Sequence, residues 1–285
     1  MKIAISGSTG FIGTHLSSFL EANGAEIVPL KREFFSAADD IALRIALDGC
    51  DAVINLAGAT INHRWTSSYK RKIMDSRILT TRKLVTAINK LTRKPHTLIS
   101  ISAVGIYSSD RVQREDDFCY GNTFLSQVCR KWEEEARKVS PQTRLVIPRL
   151  GVVLAKDGGA LPLMLLPFRM FAGGRIASGN QGFSWIHIED LQNAILFLLL
   201  NPQLRGVFNF TAPQIMNNSK FTETAAAVLH RPSWLPVPGF VFYLLYGKGH
   251  ILMTEGQKAY PLRLLEEGFE FRYLDLESAL ESIVD

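Results

Sequence analysis

The first thirteen residues, MKIAISGSTGFIG, restrict what this chain can fold into more than any other segment. A β-branched run that ends at Ile5 meets Gly7, Gly10 and Gly13, and an apolar pattern with helical spacing follows from Phe11. In a strand–turn–helix unit, one glycine makes the turn, one lets the backbone approach a pyrophosphate, and one lets the helix pack against the strand. The unpaired N–H groups at the start of the helix favour a negative charge.

This segment therefore predicts a bound dinucleotide, and the alternative is a turn with a structural role only. The glycines follow a predicted strand and open a predicted helix, which is the context that the dinucleotide interpretation needs. The residues expected to contact the cofactor here are Gly7, Ser8, Thr9, Gly10, Phe11, Ile12 and Gly13.

Composition excludes several other classes of protein. The chain has 285 residues, of which 47% are apolar and 21% charged, as in ordinary soluble proteins. The apolar run Leu161–Phe171 is broken by Pro167 and Arg169, and a membrane span needs about 20 apolar residues. We therefore expect no membrane association, and Met1–Ile5 does not have the pattern of a signal peptide.

Cysteine usage and charge fit a cytoplasmic protein. Cys50, Cys119 and Cys129 are widely spaced and form no C-x-x-C motif, so disulfides and zinc are not expected. No His/Asp/Glu cluster has metal-ligand spacing, and we predict no metal site. The net charge is +5, and the one basic run, 70–72, lies on a predicted helix. We interpret it as a solvated helix face, not a nucleic-acid contact, and a basic surface also suits an anionic cofactor.

The first half of the chain alternates strand and helix patterns. Strands are predicted at 3–6, 26–30, 52–56, 97–102 and 144–153, and helices at 11–23, 41–47, 66–91 and 122–139. This rhythm predicts an α/β fold of the Rossmann type, with a doubly wound parallel sheet.

After residue 155 glycines and prolines interrupt the alternation of strand and helix patterns. Further strands are predicted at 184–188 and 206–211, with a helix at 190–200 between them. We therefore divide the chain into a cofactor-binding domain, residues 1–155 plus 185–211, in which the second segment returns to the main sheet. The rest, residues 156–184 plus 212–285, is expected to form a smaller, mostly helical C-terminal lobe for a small-molecule substrate.

The end of the second predicted strand indicates which dinucleotide binds. NAD-binding proteins place an acidic residue there for the ribose 2′-hydroxyl, whereas a basic group accommodates the 2′-phosphate of NADP. This chain has Lys31 and Arg32 at that point, so NADP(H) is predicted in preference to NAD(H). The alternative is that both are surface charges and Glu33 binds the ribose. After the third predicted strand, Leu56 is followed by the small residues Ala57 and Gly58, and we expect the backbone here to pass close to the adenosine side of the cofactor; a tight turn at the strand end would need the same residues.

Five motifs in order resemble the extended short-chain dehydrogenase/reductase superfamily: the glycine turn, NLAGA, SAVGIY, PRLGVVL and WIHIED. More narrowly, the chain is similar to the uncharacterised "epimerase family" proteins related to nucleoside-diphosphate-sugar epimerases, some of which carry the older label cell-division-inhibitor-like. Marks of this group are Asp75-Ser76-Arg77, Thr81-Arg82, Trp132-Glu133 and Glu255-Gly256-Gln257. The resemblance covers essentially the whole chain. It implies a homodimer formed through the helices at 66–91 and 122–139.

The resemblance also implies a catalytic Ser or Thr, a Tyr, and a Lys four residues after that Tyr. Ser102 matches the serine, but the Tyr-x-x-x-Lys pair is absent. The corresponding segment offers Phe124 with Val128, or Leu125 with Cys129, and neither pair can do the chemistry of a Tyr and Lys pair. Epimerase or dehydrogenase chemistry therefore needs other groups.

Ser102 and Tyr107 are the candidate catalytic residues. Tyr107 can act in acid–base chemistry or simply form an aromatic wall of the pocket. Ser102 can donate a hydrogen bond to a substrate carbonyl or merely end its strand. Two hypotheses follow, an NADP(H)-dependent oxidoreductase or epimerase acting on a small carbonyl or nucleotide-linked sugar, and a non-catalytic NADP(H)-binding protein.

Four further residues are candidates for binding substrate: Arg77, Arg149, Trp185 and His187. Either arginine can bind an anion bidentately or form an internal salt bridge. His187 titrates near neutrality if accessible, but between two isoleucines it also suits a structural role. Trp185 can line an apolar pocket or belong to the core.

Overall fold

The structure is a computed structural model that describes residues 1–36 and 38–284. Its centre is a seven-stranded parallel sheet in the order β10-β7-β4-β3-β1-β2, in which the short β5 also pairs with β7. The α/β fold predicted from the sequence is confirmed. The strands are β1 Lys2–Ser6, β2 Glu26–Leu30, β3 Ala52–Asn55, β4 Thr97–Ser100, β5 Ser102–Ala103, β6 Val112–Gln113, β7 Arg144–Leu150, β8 Val152–Leu154, β9 Trp185–His187, β10 Gly206–Phe210 and β11 Lys258–Ala259.

Helices flank both faces of the sheet, and most of those in the first half lie within a few residues of their predicted bounds. The helices are α1 Phe11–Ala22, α2 Glu33–Ser36, α3 Ile41–Leu47, α4 Ser67–Lys90, α5 Phe124–Ala136, α6 Leu161–Arg169, α7 Ile188–Leu200, α8 Asn218–Val228, α9 Gly239–Tyr246, α10 Ile251–Thr254, α11 Leu262–Glu266 and α12 Leu276–Val284.

The strands are buried on both faces, as parallel sheets require. Successive side chains of β1 alternate between two core clusters: Ile3 and Ile5 pack on one face with α1 and α7, and Ala4 packs on the other with α3 and α4. Phe269 and Phe271, near the C-terminus, belong to the first cluster. The C-terminal part of the chain therefore contributes to the core of the main sheet.

The predicted strand 144–153 is wrong in one respect, because it breaks into β7 and β8 at Gly151. The Gly151 N–H donates to the carbonyl of Phe210, whereas the next N–H, of Val152, donates to Ser184. A Cβ at position 151 would lie 2.7 Å from the Ser184 oxygen. The backbone thus crosses close to β9 at this point, which favours glycine.

This break also corrects the expectation that residues 185–211 return to the main sheet as a whole. β10 joins β7 as predicted, but β9 pairs with β8 in a separate two-stranded sheet. Around this pair, α6, α8 and α12 form a second hydrophobic cluster centred on Trp185. The sheet pair therefore connects the main sheet to the helical lobe.

Within the described ranges, no helix has the length and apolar character needed to cross a membrane. The three cysteines are free thiols, and no group of three His, Cys, Asp or Glu side chains in the described part of the chain could hold a metal ion.

Candidate functional site

The glycine-rich turn after β1 is packed so closely that two of its positions exclude a side chain. Gly7 has a φ of +77°, and a Cβ there would lie 2.9 Å from the carbonyl carbon of Leu56. A Cβ at Gly13 would lie 2.1 Å from the Gly7 oxygen. The turn therefore rests against the start of α1 on one side and against the segment after β3 on the other.

The N-terminus of α1 is suited to an anion. Gly10 occupies the N-cap position, no side chain caps the helix, and its first turn contains no acidic residue. The first N–H groups of a helix have no partners within it, and the helix dipole favours negative charge at this end. The turn and helix start fit a pyrophosphate on the backbone.

A second segment, the loop after β8, packs against the same helix start. Cβ atoms at Gly158 and Gly159 would lie 2.3 and 2.9 Å from ring carbons of Phe11, and His15 Nε2 lies 3.0 Å from Asp157. Sequence reasoning did not place this loop beside the glycine turn. Its paired glycines were the signal, because they mark close approach to a bulky partner.

Lys31 and Arg32 follow β2 directly, and both are exposed. Neither forms an ion pair with any residue in the described ranges. β2 lies next to β1 in the sheet, so the two cations stand at the same carboxyl edge as the glycine turn. Their placement fits a 2′-phosphate, and Glu33, also exposed, begins α2 beside them.

Buried polar groups hold α4 and α5 to this edge of the sheet. Ser6 donates to Asn55 Oδ1 at 2.7 Å, and Asn55 Nδ2 donates to the Thr81 hydroxyl at 2.8 Å. That hydroxyl also accepts from Trp132 Nε1 at 2.8 Å. The side chains of two strand ends and two helices are thus linked in one chain of hydrogen bonds.

The place where a Tyr and a Lys are expected contains apolar side chains. Phe124 and Leu125 are half-buried in the first turn of α5, and Val128 and Cys129 are buried behind them. Burial raises the pKa of the Cys129 thiol to about 11. Lys70 Nζ lies 4.7 Å from the centroid of the Phe124 ring.

Ser102 and Tyr107 belong to a buried network. Ser102 donates to Glu133 Oε1 at 2.8 Å, and Arg149 donates to both Glu133 oxygens, from Nε and Nη2, at 2.8 Å each. Arg149 Nη1 donates to the Tyr107 hydroxyl at 2.9 Å, and that hydroxyl donates to Asn209 Oδ1 at 2.6 Å. All five side chains are at most 1% exposed. The network joins β5, α5, β7 and β10.

The electrostatics of this network keep each group in its ordinary charge state. Burial acts to raise the pKa of Glu133, but the hydrogen bonds and charge of Arg149 outweigh it and hold that pKa below its usual value. Burial raises the pKa of Tyr107 to about 12, against the opposing effect of Arg149. A catalytic tyrosine needs a pKa lowered toward the working pH, so the shift of Tyr107 is in the opposite direction.

Trp185 and His187 lie in β9, between the main sheet and the helical lobe. Trp185 is fully buried in the lobe cluster. His187 is 4% exposed and caps α7, where its Nδ1 accepts from the Glu189 N–H at 3.2 Å. Burial first, and then the charge of Arg272, lower the pKa of His187 to about 4. These contacts fit structural roles for both residues.

Arg77 and Arg149, which the sequence left equivalent, differ in the structure. Arg149 forms a buried salt bridge with Glu133. Arg77 lies beside Gly58 and donates from Nη1 to the carbonyls of Ala59 and Ile73, at 3.0 and 3.2 Å. In the sequence, Glu133 stands out only as a family mark, and the position of Glu133 on the apolar face of α5 is the available sign that this acid is buried.

Fold and site together define the class: this is a Rossmann-type α/β protein with a cradle for a dinucleotide. The chain matches the model of the NAD dependent epimerase/dehydratase family over residues 3–210. It belongs to that family. A second family model, described as a domain of unknown function, matches residues 237–283.

Relatives of similar length match throughout. The chain is 41% identical to the chloroplastic "Epimerase family protein SDR39U1 homolog" of Arabidopsis thaliana, covering all of this chain and 87% of the relative. It is 39% identical to "Epimerase family protein YfhF" of Bacillus subtilis, with coverage of 100% and 98%. The crystal structure of human SDR39U1 (isoform 2) with NADPH superposes with a TM-score of 0.91 at 36% identity, covering 99% of each chain.

Proposed function

We propose that this protein binds NADP(H) in preference to NAD(H), at the edge of the sheet formed by the glycine turn and the end of β2. The observation that carries the proposal is the pair of exposed cations Lys31 and Arg32, which form no ion pair among the residues that the structure describes and stand one strand away from the turn. A guanidinium fork and an ammonium group suit a phosphate. The NADPH bound to human SDR39U1, similar over its whole length, supports the same assignment.

The cofactor residues proposed are those of the turn and the two neighbouring strand ends. Backbone N–H groups at the start of α1 would bind the pyrophosphate, and the small residues after β3 would leave room for the adenosine. When bound, such a cofactor would supply a hydride in its reduced form and accept one in its oxidised form. The proposed residues are Gly7, Ser8, Thr9, Gly10, Phe11, Ile12, Gly13, Lys31, Arg32, Leu56, Ala57 and Gly58.

Calorimetric titration with NADPH and NADH tests this proposal. The double variant Lys31→Ala/Arg32→Ala is expected to lose about 10- to 100-fold in NADPH affinity, corresponding to one or two charge-assisted contacts, with little change for NADH. Arg71→Ala/Lys72→Ala removes two exposed cations from α4 and serves as the matched control. Preferential binding of NADH, weakened by Glu33→Gln, would overturn the proposal in favour of a ribose contact.

Two roles beyond cofactor binding are candidates, and a different observation favours each of them. A non-catalytic NADP(H)-binding role is favoured by Phe124 and Val128 in place of the Tyr and Lys, and by the burial of Ser102 and Tyr107. We propose that the buried network holds the sheet edge together and transfers no proton to a substrate.

An epimerase- or reductase-like activity on a small carbonyl or nucleotide-linked sugar is favoured by the helical lobe. The lobe contains a cavity of about 340 Å³ between α8 and the segment before α9, within the range of small-molecule sites. It is lined by Arg175, Ser219, Thr222, Glu223, Ser233, Trp234 and Pro236. Substrate-dependent loss of NADPH absorbance with a panel of aldehydes, ketones and sugar nucleotides would establish this candidate and exclude the non-catalytic one.

The homodimer through α4 and α5 and the cytoplasmic location stay predictions. α4 exposes Leu79, which is 51% accessible, beside charged residues. Light scattering after size-exclusion chromatography measures the oligomeric state and tests the predicted homodimer. The name of the Arabidopsis relative places that protein in the chloroplast.

A further inference from the structure

The cavity of about 340 Å³ in the helical lobe has one wall made by two paired segments. Residues 173–177 and 234–237 form a ribbon, in which the Val237 N–H donates to the Arg175 carbonyl at 2.9 Å. Arg175, on the first segment, and Trp234, on the second, both line the cavity. The ribbon therefore places a guanidinium and a large aromatic ring in the same wall, and both side chains are exposed.

A single face of α8 forms a second wall. Ser219, Thr222 and Glu223 line the cavity, and residues three and four positions apart share one face of a helix. A Cβ at Gly179 would lie 2.0 Å from Ser219 Oγ, so the loop that follows the first segment of the ribbon is packed tightly against α8. This wall adds two hydroxyl groups and a carboxylate to the guanidinium and the ring of the first wall.

The backbone around the ribbon is strained. In the described part of the chain, three residues other than glycine have a positive φ: Phe171 at +59°, Ala177 at +50° and His230 at +51°. Each of them lies within four residues of Arg175 or Ser233, which line the cavity. Residues with a side chain rarely adopt this conformation, and those that do cluster at ligand-binding and other functional sites. The shape of the ribbon is thus maintained against a conformational cost, which favours a binding role over that of a simple connection.

The two opposite charges of the cavity do not pair with each other. Arg175 forms no ion pair with any residue in the described ranges, and Glu223 Oε2 lies 3.9 Å from Lys220 Nζ. A guanidinium fork binds a carboxylate bidentately, and a carboxylate accepts strong hydrogen bonds from an ammonium group. Trp234, which is 71% exposed, presents its ring to an apolar or aromatic group. The cavity therefore suits a ligand that carries one charge of each sign.

We propose that this cavity binds a small zwitterion of the α-amino acid class, with its carboxylate on Arg175, its ammonium group on Glu223 and an apolar or aromatic side chain on Trp234. A nucleotide-linked sugar is the alternative occupant, but its diphosphate would place negative charges beside Glu223, so charge complementarity favours the zwitterion. The inference specifies the ligand class of the cavity that supports the second candidate function. It stands without the proposed NADP(H) binding, because the lining residues all lie between 175 and 236 and none belongs to the proposed cofactor site.

Thermal-shift measurements with the common L-amino acids, one at a time at millimolar concentration, give the first test. We expect an apolar or aromatic amino acid to raise the melting temperature, because a ligand that binds only the folded state stabilises it. In calorimetry with that amino acid, Arg175→Gln and Glu223→Gln should each lower the affinity by about 10-fold or more. Arg169→Gln and Glu281→Gln remove the same charges from exposed positions on α6 and α12, and these matched controls should leave the affinity within about twofold of the wild-type value.

Modified ligands identify the charge that each residue binds. The amide of the amino acid lacks the carboxylate, so it should bind the wild-type protein more weakly than the free amino acid does, whereas Arg175→Gln should bind the two equally. The N-acetyl derivative lacks the ammonium group and should show the same pattern with Glu223→Gln. A purely structural effect of either substitution would weaken the free and the modified ligands by the same factor, and that result would contradict the assigned contacts.

Two further outcomes would overturn the proposal. One is the absence of a thermal shift with every amino acid, and the other is binding of UDP-glucose that Arg175→Gln weakens while no amino acid competes with it. Calorimetric titration of the same samples with NADPH reports the cofactor site separately and shows that each variant is folded. Normal NADPH binding without amino-acid binding rejects this inference alone, and amino-acid binding without binding of NADPH rejects the proposed function alone.

Discussion

Glu133 of α5 and Arg149 of β7 are joined by two parallel hydrogen bonds of 2.8 Å, Nε to Oε1 and Nη2 to Oε2, and each residue is 1% exposed. Ser102 donates to Glu133 and Tyr107 accepts from Arg149 on the sheet side, and Arg137 Nη2 also donates to Glu133 Oε2 at 2.7 Å. The two side chains that the sequence offered for catalysis are thus hydrogen-bond partners of a buried ion pair. Both hydroxyl groups make their hydrogen bonds to other side chains of the buried network.

Glu133→Gln should destabilise the protein strongly. The substitution leaves the Arg149 guanidinium buried without its counter-charge, and breaking a buried pair from one side costs about 3–5 kcal/mol. Urea denaturation measures the free energy of unfolding. Glu134→Gln, on the exposed side of the same helix, should change it by less than about 0.5 kcal/mol. Equal effects of the two substitutions would contradict the importance of the ion pair.

Tyr107→Phe should lower stability without affecting the cofactor. It removes the hydroxyl that accepts from Arg149 and donates to Asn209, which leaves two buried groups short of a partner at a cost of about 1–3 kcal/mol. NADPH affinity, measured by calorimetry, should stay within twofold of the wild-type value. Ser102→Ala should behave similarly with a smaller loss. A variant with normal stability but lost turnover of an identified substrate would return these residues to a catalytic role.

The sequence predicted the sheet because its patterns are local. Each strand and helix of the first half is predicted by the pattern of a few consecutive residues, and the glycine turn requires only the seven residues from Gly7 to Gly13. The buried network is different, since Ser102 and Glu133 are 31 residues apart and Tyr107 and Asn209 are 102 apart. No spacing rule connects such positions. Only packing of α5 and β10 onto the sheet brings them together.

The break at Gly151 shows a second limit. The residues on both sides of it are apolar and strand-forming, so periodicity alone predicts one strand. What divides β7 from β8 is the close passage of Ser184, a contact between distant segments. Arg77 and Arg149 were equivalent in the sequence for the same reason, because only the fold brings an acid to one of them.

Gly13→Ala should weaken NADPH binding and reduce stability together. A Cβ at this position would lie 2.1 Å from the Gly7 carbonyl oxygen, so the turn and α1 must separate, and the N–H groups proposed to bind pyrophosphate move with them. We expect at least a tenfold loss of affinity by calorimetry, the equivalent of about 1.4 kcal/mol. At Gly239 the nearest atoms would be 3.4 Å away or more, so Gly239→Ala is a control that should leave NADPH affinity unchanged. Tight NADPH binding by Gly13→Ala would contradict the location of the site.

His187 should make the free energy of unfolding depend on pH below neutrality. Burial lowers the pKa of His187 in the folded protein to about 4, from its ordinary value of 6.5. Between these values the unfolded chain binds a proton that the folded protein does not, so stability rises with pH in this window. The contribution of His187 is therefore complete above pH 6.5 and is lost as the pH falls toward 4, by roughly 3 kcal/mol at 1.36 kcal/mol per unit.

His187→Asn isolates this effect, because asparagine also caps helices and does not titrate. The other acids near this helix end, Glu189 and Asp190, are common to both proteins, so the difference between the two urea-denaturation curves reports His187 alone. The difference in free energy of unfolding between the wild-type protein and His187→Asn should shift progressively against the wild-type protein as the pH is lowered from 7 to 4.5. Parallel pH profiles for the two proteins would mean that the imidazole titrates equally in the folded and unfolded states. The cap on α7 would then be accessible to solvent, and His187 would again be available to a ligand.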